Sequence, residues 1–339
     1  MSAEGFLVTA ANVQDYLLDQ KLVPSGEDLS VRELGGGVSN TVLLVGCSNF
    51  RWVVKQSLEK LRVKDDWRSD RARILREAES IQALQDILGE GALPKVVHVD
   101  RENCLFIMTA APVGAVPWKD LLLGRRADLA VARQAAVLLG RLINSSRGDA
   151  WFRDHFADRR VFDQLRLDPY YRTAAARHND VSKPLRELIA DSLKIQTSLV
   201  HGDYSPKNML VQGDRIFLID FEVIHWGDPS FDAAFLLNHL FLKALYQTAC
   251  GQIYIDAARE FWLTLHTALG PEGWIDFSKM TFRHVGGLML ARIDGKSPVE
   301  YIRDESMKER VRQIAKRIIQ ERPDGLEQAV EVIRAGGWK

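Results

Sequence analysis

The chain has 339 residues, of which 46% are hydrophobic and 27% charged, with 45 basic and 45 acidic side chains. That length exceeds one compact core and predicts two lobes, while a net charge of zero excludes a global positive field for nucleic acid or an anionic membrane. No apolar run reaches the ~20 residues of a membrane span, and the start MSAEGFLVTAANVQDYLLDQ lacks the basic and apolar regions of a secretory signal.

Cys47, Cys104 and Cys250 lie far apart, match neither a disulfide framework nor a zinc spacing, and suit a reducing cytoplasm. Residues 10–20 predict a short amphipathic helix on the outside of the first lobe. Residues 29–45 read as strand, glycine turn, strand, with Gly35-Gly36-Gly37 at the turn and Ser39-Asn40 after it. Glycines there let backbone amides approach phosphates, although the same residues also suit a plain hairpin turn. The next strand, residues 50–55, ends on Lys55. A long helix is expected over residues 65–89, with Ile74, Ile81, Leu84 and Leu88 in register. Glu77 and Glu79 project about 200° apart around it, so only one can face Lys55. Residues 95–99 and 104–109 complete five strands, and Pro112, Gly114 and Pro117 then break regular structure.

Beyond Trp118 the pattern is mostly helical. Residues 127–144 are strongly amphipathic. Residues 153–177 read as a surface helix with a turn at Asp168-Pro169, in preference to a substrate-side insertion. Residues 185–193 form another helix, leading to a strand at Ser198.

The stretch 198–232 carries the most chemistry. Residues 209–211 and 216–219 read as short buried strands joined by the tight turn 212–215. Such a hairpin holds Asn208 at one strand's start and Asp220 at the other's end, beside the loop that carries Asp203. Phosphoryl transfer asks for a carboxylate at the attacking hydroxyl and for hard oxygen ligands around Mg²⁺. Asp203 is the first type; Asn208 and Asp220 are the second. The interval from Asp203 to Asn208 equals that of the kinase loop H-R-D-x-x-x-x-N, with Gly202 in place of Arg and Phe221-Glu222 in place of Phe-Gly. His225 and His239 show no metal spacing and are expected to be packed or solvated.

His-Gly-Asp-x-x-x-x-Asn followed by Ile-Asp-Phe-Glu resembles the aminoglycoside phosphotransferase and choline kinase superfamily of small-molecule kinases. The resemblance implies an α+β, protein-kinase-like two-lobed fold: an N-terminal nucleotide lobe, residues 1–110, with an antiparallel sheet and one main helix, and a mostly helical catalytic and substrate lobe, residues 111–339. It implies ATP, or GTP, with Mg²⁺, and transfer of the γ-phosphoryl group to a hydroxyl of a sugar, aminoglycoside, amino alcohol or similar small molecule. Asp203 is then the catalytic base, and Asn208 and Asp220 the metal ligands. Gly36, Gly37, Ser39, Asn40 and Lys55 meet the nucleotide phosphates, with Glu77 (counted from Arg73 in the family's Arg-x-x-x-Glu) positioning Lys55. The backbone of Met108 and Ala110 falls at the family's hinge and would read a purine edge. Asp232 resembles the family's Asp that opens a helix and braces the catalytic loop. The Lys55–Glu77 pair is expected to be exposed, contributing ~0–1 kcal/mol to folding. Partners reduce to the small hydroxyl substrate, without nucleic acid or membrane; a homodimer is compatible with this reading. The alternative is a non-catalytic nucleotide-binding or scaffold protein on the same fold. A protein kinase is disfavoured by the absence of an Ala-Pro-Glu segment, and a Rossmann oxidoreductase by a strand following the glycines.

Overall fold

The computed structural model describes residues 6–35, 39–61 and 68–336, in two compact units, Met1–Val113 and Gly114–Lys339. The predicted glycines Gly36 and Gly37 lie outside the described residues.

The first unit opens with helix α1 (Val13–Asp19), followed by strands β1 (Ser30–Glu33), β2 (Asn40–Gly46) and β3 (Arg51–Ser57). Helix α2 (Arg73–Leu88) then leads to β4 (Val96–Asp100) and β5 (Leu105–Thr109). The strands form one antiparallel sheet in the order β1-β2-β3-β5-β4. Alternation along the strands sends Leu43, Val45, Val54, Leu105 and Ile107 to one face, where Val13 and Leu17 of α1 join them in a buried cluster. Each such side chain contributes about 1.5–3 kcal/mol when fully buried. Lys55, one residue out of phase with Val54, points to the opposite face, toward α2. Ile74, Ala78, Ile81, Leu84 and Leu88 are the buried stripe of that helix. Glu77 falls on the same stripe.

Helix α2 begins at Arg73, later than the expected residue 65. Arg68 still bridges Lys60 in strand-like fashion, and Ser69 donates its N–H to the Glu59 carbonyl at 3.1 Å. Asp70 accepts the N–H of Ala72 at 2.9 Å, and so starts the helix only there.

The second unit contains β6 (Val116–Pro117), α3 (Trp118–Leu123), α4 (Leu129–Ser146) and α5 (Ala150–His155). Next, α6 (Arg160–Phe162), a π-helical stretch Asp163–Arg172 and α7 (Thr173–Arg177) follow one another without a break. Helix α8 (Ser182–Lys194) leads to β7 (Ser198–Val200), then β8 (Met209–Gln212), β9 (Arg215–Leu218) and β10 (His225–Gly227). The chain closes with α9 (Ser230–Tyr246), α10 (Gly251–Leu269), α11 (Trp274–Asp294), α12 (Glu305–Glu321) and α13 (Leu326–Ala335). Strands β6, β8 and β9 form one small antiparallel sheet; β7 pairs with β10. Helix α9 is buried along nearly its whole length and all round, as its apolar sequence demands, and α10 and α11 pack against it.

Residues 153–177 do not form the expected surface helix with a turn at Asp168-Pro169. Leu165, Arg166, Leu167, Tyr170 and Tyr171 are buried, and Pro169 sits inside the π-helical stretch. Proline has no N–H to give to the residue four back, and its ring crowds that carbonyl. Widening the turn accommodates both without ending the helix. Among the described residues no helix is long and apolar enough to cross a membrane.

Candidate active site

In the second unit the predicted hairpin is present. β8 and β9 pair from Met209↔Leu218 to Gln212↔Arg215, with Gly213 at φ 64° in the turn. The Ile219 N–H donates to the Asn208 carbonyl at 3.0 Å, so Asn208 and Asp220 end the hairpin together. Asp220 itself adopts φ 71°, a left-handed conformation uncommon for a residue with a Cβ and frequent at functional positions. Asn208 is buried, and its amide nitrogen donates to the Asp203 carbonyl at 3.0 Å. That bond uses the amide nitrogen and so leaves the amide oxygen, a ligand type that a hard cation takes.

The loop before the hairpin is held from several sides. Asp232, at the start of α9, accepts the N–H of His201 at 2.6 Å and of Gly202 at 2.9 Å. Its complete burial outweighs both bonds and pushes the carboxyl up to about 7. His201 accepts the Asp203 N–H at Nδ1, 3.2 Å, which leaves Nε2 to donate to the Ile219 carbonyl at 3.2 Å. Burial keeps this imidazole neutral, with its pKa pulled down to about 4. The Tyr204 hydroxyl donates to the Ala135 carbonyl of α4 at 2.6 Å.

Gly202 has φ +78°, and a Cβ there would stand 2.7 Å from Val223 Cγ1 and 2.8 Å from the Val223 carbonyl oxygen. This explains the glycine where the loop H-R-D-x-x-x-x-N carries Arg. Gly202→Ala is expected to cost about 2–5 kcal/mol, from left-handed strain plus overpacking. Urea unfolding of the variant measures this, and a cost under about 0.5 kcal/mol would contradict it.

Asp203 is buried and bound by two cations. Arg166 Nη2 lies 3.0 Å from its Oδ2, and Lys207 Nζ 2.8 Å from the same oxygen. Oδ1 has no protein partner among the described residues. Burial alone would raise this carboxyl; Lys207 and Arg166 overcome it and hold it well below the usual carboxylate range. Arg166 also donates from Nε to the Gly202 carbonyl at 2.6 Å. Neither cation was among the sequence candidates. Lys207 stands inside the motif, four residues from Asp203, and its spacing was a usable signal. Arg166 comes from the π-helical stretch, and no local pattern announces it.

The histidines His225 and His239 are both buried. His225 bonds the Val223 carbonyl at 3.0 Å and stacks on Phe162, a packing role.

In the first unit, Lys55 Nζ lies 2.8 and 2.7 Å from the two carboxylate oxygens of Glu77. The side chains are 6% and 0% exposed, so the pair is buried, contrary to the expectation of a solvated one. Its place on the inner stripe of α2 is the reason. Glu79 instead meets Arg101 at 3.1 Å on the surface. Ser39 and Asn40 are buried beside each other, 3.0 Å apart between Oγ and Nδ2. The Arg73 guanidinium is buried among carbonyl oxygens, 2.5 Å from that of Ser39 and 2.9 Å from that of Leu58, and ties α2 to the strand that follows the glycines. Met108 lies within β5, between Val53 and Val96. The Ala110 N–H is committed to the Arg51 carbonyl at 2.9 Å, which leaves only the carbonyl of Ala110 for a purine.

Comparison with known proteins bears on this arrangement. A methylthioribose kinase of Oryza sativa subsp. japonica is 26% identical over 258 residues, 68% of this chain and 60% of that protein. The chain thus spans about three fifths of the length of the methylthioribose kinases it matches. The 4-hydroxytryptamine kinase of Psilocybe cyanescens is 25% identical over 324 residues, 80% of this chain and 88% of the other. Among solved structures, a gentamicin complex of APH(2")-IIa superposes with a TM-score of 0.51 at 17% identity, covering 95% of this chain and 99% of that one. An amicoumacin kinase with AMP-PNP, Ca²⁺ and amicoumacin gives 0.52 at 16% identity, covering 93% and 96%. These likenesses show a protein-kinase-like α+β fold. The model of the phosphotransferase enzyme family matches residues 30–264, more than half of the sequence, and the chain belongs to that family.

Proposed function

We propose that the protein is a small-molecule kinase that transfers the γ-phosphoryl group of ATP to a hydroxyl. One observation carries this reading: both cations on Asp203 converge on Oδ2, leaving Oδ1 as a fixed acceptor in a loop whose backbone is tied to Asn208. A loose phosphoryl-transfer transition state needs little covalent help and much positioning. Asp203 Oδ1 orients the substrate hydroxyl and takes its hydrogen bond at about 2.6–3.2 Å. Lys207, half exposed, stands beside the same carboxylate and offsets negative charge there. Asn208 and Asp220 are the oxygen donors that suit Mg²⁺, which when bound neutralises charge on the nucleotide phosphates. Lys55, oriented by Glu77, holds those phosphates together with Gly36, Gly37, Ser39 and Asn40, and the Ala110 carbonyl reads the purine, since the backbone of Met108, expected from the sequence to share that role, is taken up by pairing with Val53. The AMP-PNP bound by a structural relative supports ATP as the donor. Three unpaired, half-buried cysteines suit a reducing compartment such as the cytoplasm.

The test is ATP consumption with a panel of hydroxylated acceptors; ATP bound but never consumed with any acceptor would favour a nucleotide-binding scaffold. The metal assignment has its own expected result. Asp220→Ala should raise the Mg²⁺ concentration needed for nucleotide binding by at least tenfold, and Asn208→Ala by less, because a carboxylate neutralises the ion and an amide does not. Mg²⁺ titration of nucleotide binding measures both, and unchanged metal dependence in the two variants would make the hairpin purely structural.

A further inference from the structure

Beyond Asp203, one side of the second unit gathers further cations, Arg292 and Lys243, for which no ion pair is formed among the described residues. Arg166 lies over the rings of Tyr170 and Phe235, each at 5.7 Å. Arg292, near the end of α11, lies 5.8 Å from the same Tyr170 ring and donates to its hydroxyl at 3.2 Å. Phe235 in turn approaches His239, ring centres 5.6 Å apart. One helical turn further, Lys243 is fully buried, 5.2 Å from the Tyr301 ring, and its one hydrogen bond is a long 3.5 Å contact to the His239 carbonyl. The contacts thus run without interruption from Asp203 to Lys243.

Arg292 donates also to the Ser297 carbonyl and hydroxyl, at 2.5 and 3.0 Å, so its hydrogen bonds go to neutral oxygens. No carboxylate lies within ion-pair distance of Lys243 or Arg292 among the described residues. Arg292 Nε and the Tyr301 hydroxyl are buried without a hydrogen bond. His239 is 8% exposed, and its ring nitrogens have no protein partner among the described residues. The acids that face Lys243 are Glu300, which is taken up by Lys119, and the exposed Asp120. Burial, with Lys119 and Arg292 nearby, pulls the Lys243 ammonium down to about 7. Burial, Lys243 and Arg292 likewise keep His239 neutral. A fully buried ammonium without a counter-ion costs folding free energy, and a ligand oxyanion shared between Lys243 and the half-buried Arg292 would offset that cost.

Resting on the kinase reading above, we propose that the acceptor molecule is an acid: besides its hydroxyl it carries an anionic group, a carboxylate in the first instance, that docks at Lys243 and Arg292 against the Tyr170 and Tyr301 rings. The hydroxyl end then reaches Asp203, past Arg166. Cationic acceptors are disfavoured by the same groups.

The test uses the full chain and one hydroxylated aromatic skeleton in three charge states: 4-hydroxyphenylacetate, 4-hydroxyphenylacetamide and tyramine. Binding is followed by calorimetry at constant ionic strength, with the nucleotide analogue present. The acid should bind at least ten times more tightly than the amide, and tyramine most weakly. Arg292→Met and Lys243→Met should each lose at least tenfold for the acid and leave the amide unchanged, while Arg292→Lys keeps most of the preference. Circular dichroism establishes that each variant is folded, and Lys243→Met should be at least as stable as wild type without ligand. Equal or tighter binding of the amide or tyramine, no binding by any member, or an acid affinity unchanged in both Met variants would overturn the proposal. Phosphoryl transfer is scored separately. Preferential acid binding without ATP consumption would leave this inference standing and remove the kinase reading; transfer to tyramine in preference to the acid would do the reverse.

Discussion

Asp203→Asn should lower turnover at least ~100-fold while nucleotide binding is retained. The size follows from polarity as well as from charge. Arg166 and Lys207 both donate to Oδ2, so in the variant they select the amide oxygen for that place. The amide nitrogen then occupies the position of Oδ1 and presents donors to a hydroxyl that needs an acceptor. The two cations also make Asp203 a weak base. Its carboxyl is held well below the usual range, against the effect of burial, so it is ionised at every working pH. The sign follows: a depressed carboxylate contributes stability above the unfolded pKa, about 3.9, and loses it only as pH falls through the folded value. Between about pH 5 and 9 the wild-type rate should therefore show no acid limb that disappears in Asp203→Asn. Steady-state kinetics across that range check both points; a variant within threefold of wild type would remove Asp203 from the chemistry.

Lys55→Met should reduce the unfolding free energy by about 3–5 kcal/mol, the cost of leaving a buried Glu77 carboxylate without its partner. The exposed-pair expectation of ~0–1 kcal/mol fails because both side chains are almost wholly buried. Turnover should fall as well, since the ammonium is the group proposed to hold the phosphates. Glu77→Gln should be destabilising too, and the double variant should cost less than the sum of the singles, because each single change already breaks the pair. Glu79→Gln supplies the control: its contact with Arg101 is exposed, and the change should stay within about 0.5 kcal/mol. Denaturant unfolding of the four proteins measures the coupling. Additive costs would mean that the two residues act independently.

The parts readable from sequence are those whose cause is local. The hairpin from Asn208 to Asp220 was legible because apolar runs and a Gly-Asp turn specify it within a dozen residues. Helical periodicity required that only one of Glu77 and Glu79 face Lys55, the family's Arg-x-x-x-Glu spacing from Arg73 selected Glu77, and the 2.7–2.8 Å contacts to Lys55 agree with it. The depth at which that pair sits was not legible, since burial depends on how the whole helix packs against the sheet. Nor was the start of α2, where the Asp70 side chain competes with helical pairing. Arg166 was hidden for a different reason. It lies 37 residues before Asp203 in sequence, counting from 166 to 203, in a segment rich in Arg, Asp and aromatic residues that resembles a solvated surface.

The widened helical stretch around Pro169 acts as a spacer whose length is set to one residue. An ordinary α-helical turn advances 1.5 Å and 100° per residue. Deleting a single residue just ahead of Arg166, such as Asp163, would swing either the incoming α6 or the guanidinium itself by that angle. The buried aromatic residues on both sides resist such a rotation. A change in chain length here would therefore disconnect Arg166 from the catalytic loop while every residue of the HGDYSPKN and IDFE motifs stayed in place. Two family members with identical motifs but unequal spacing in this segment would not present the same charge to the attacking hydroxyl, and motif identity alone is a poor guide to shared activity among them.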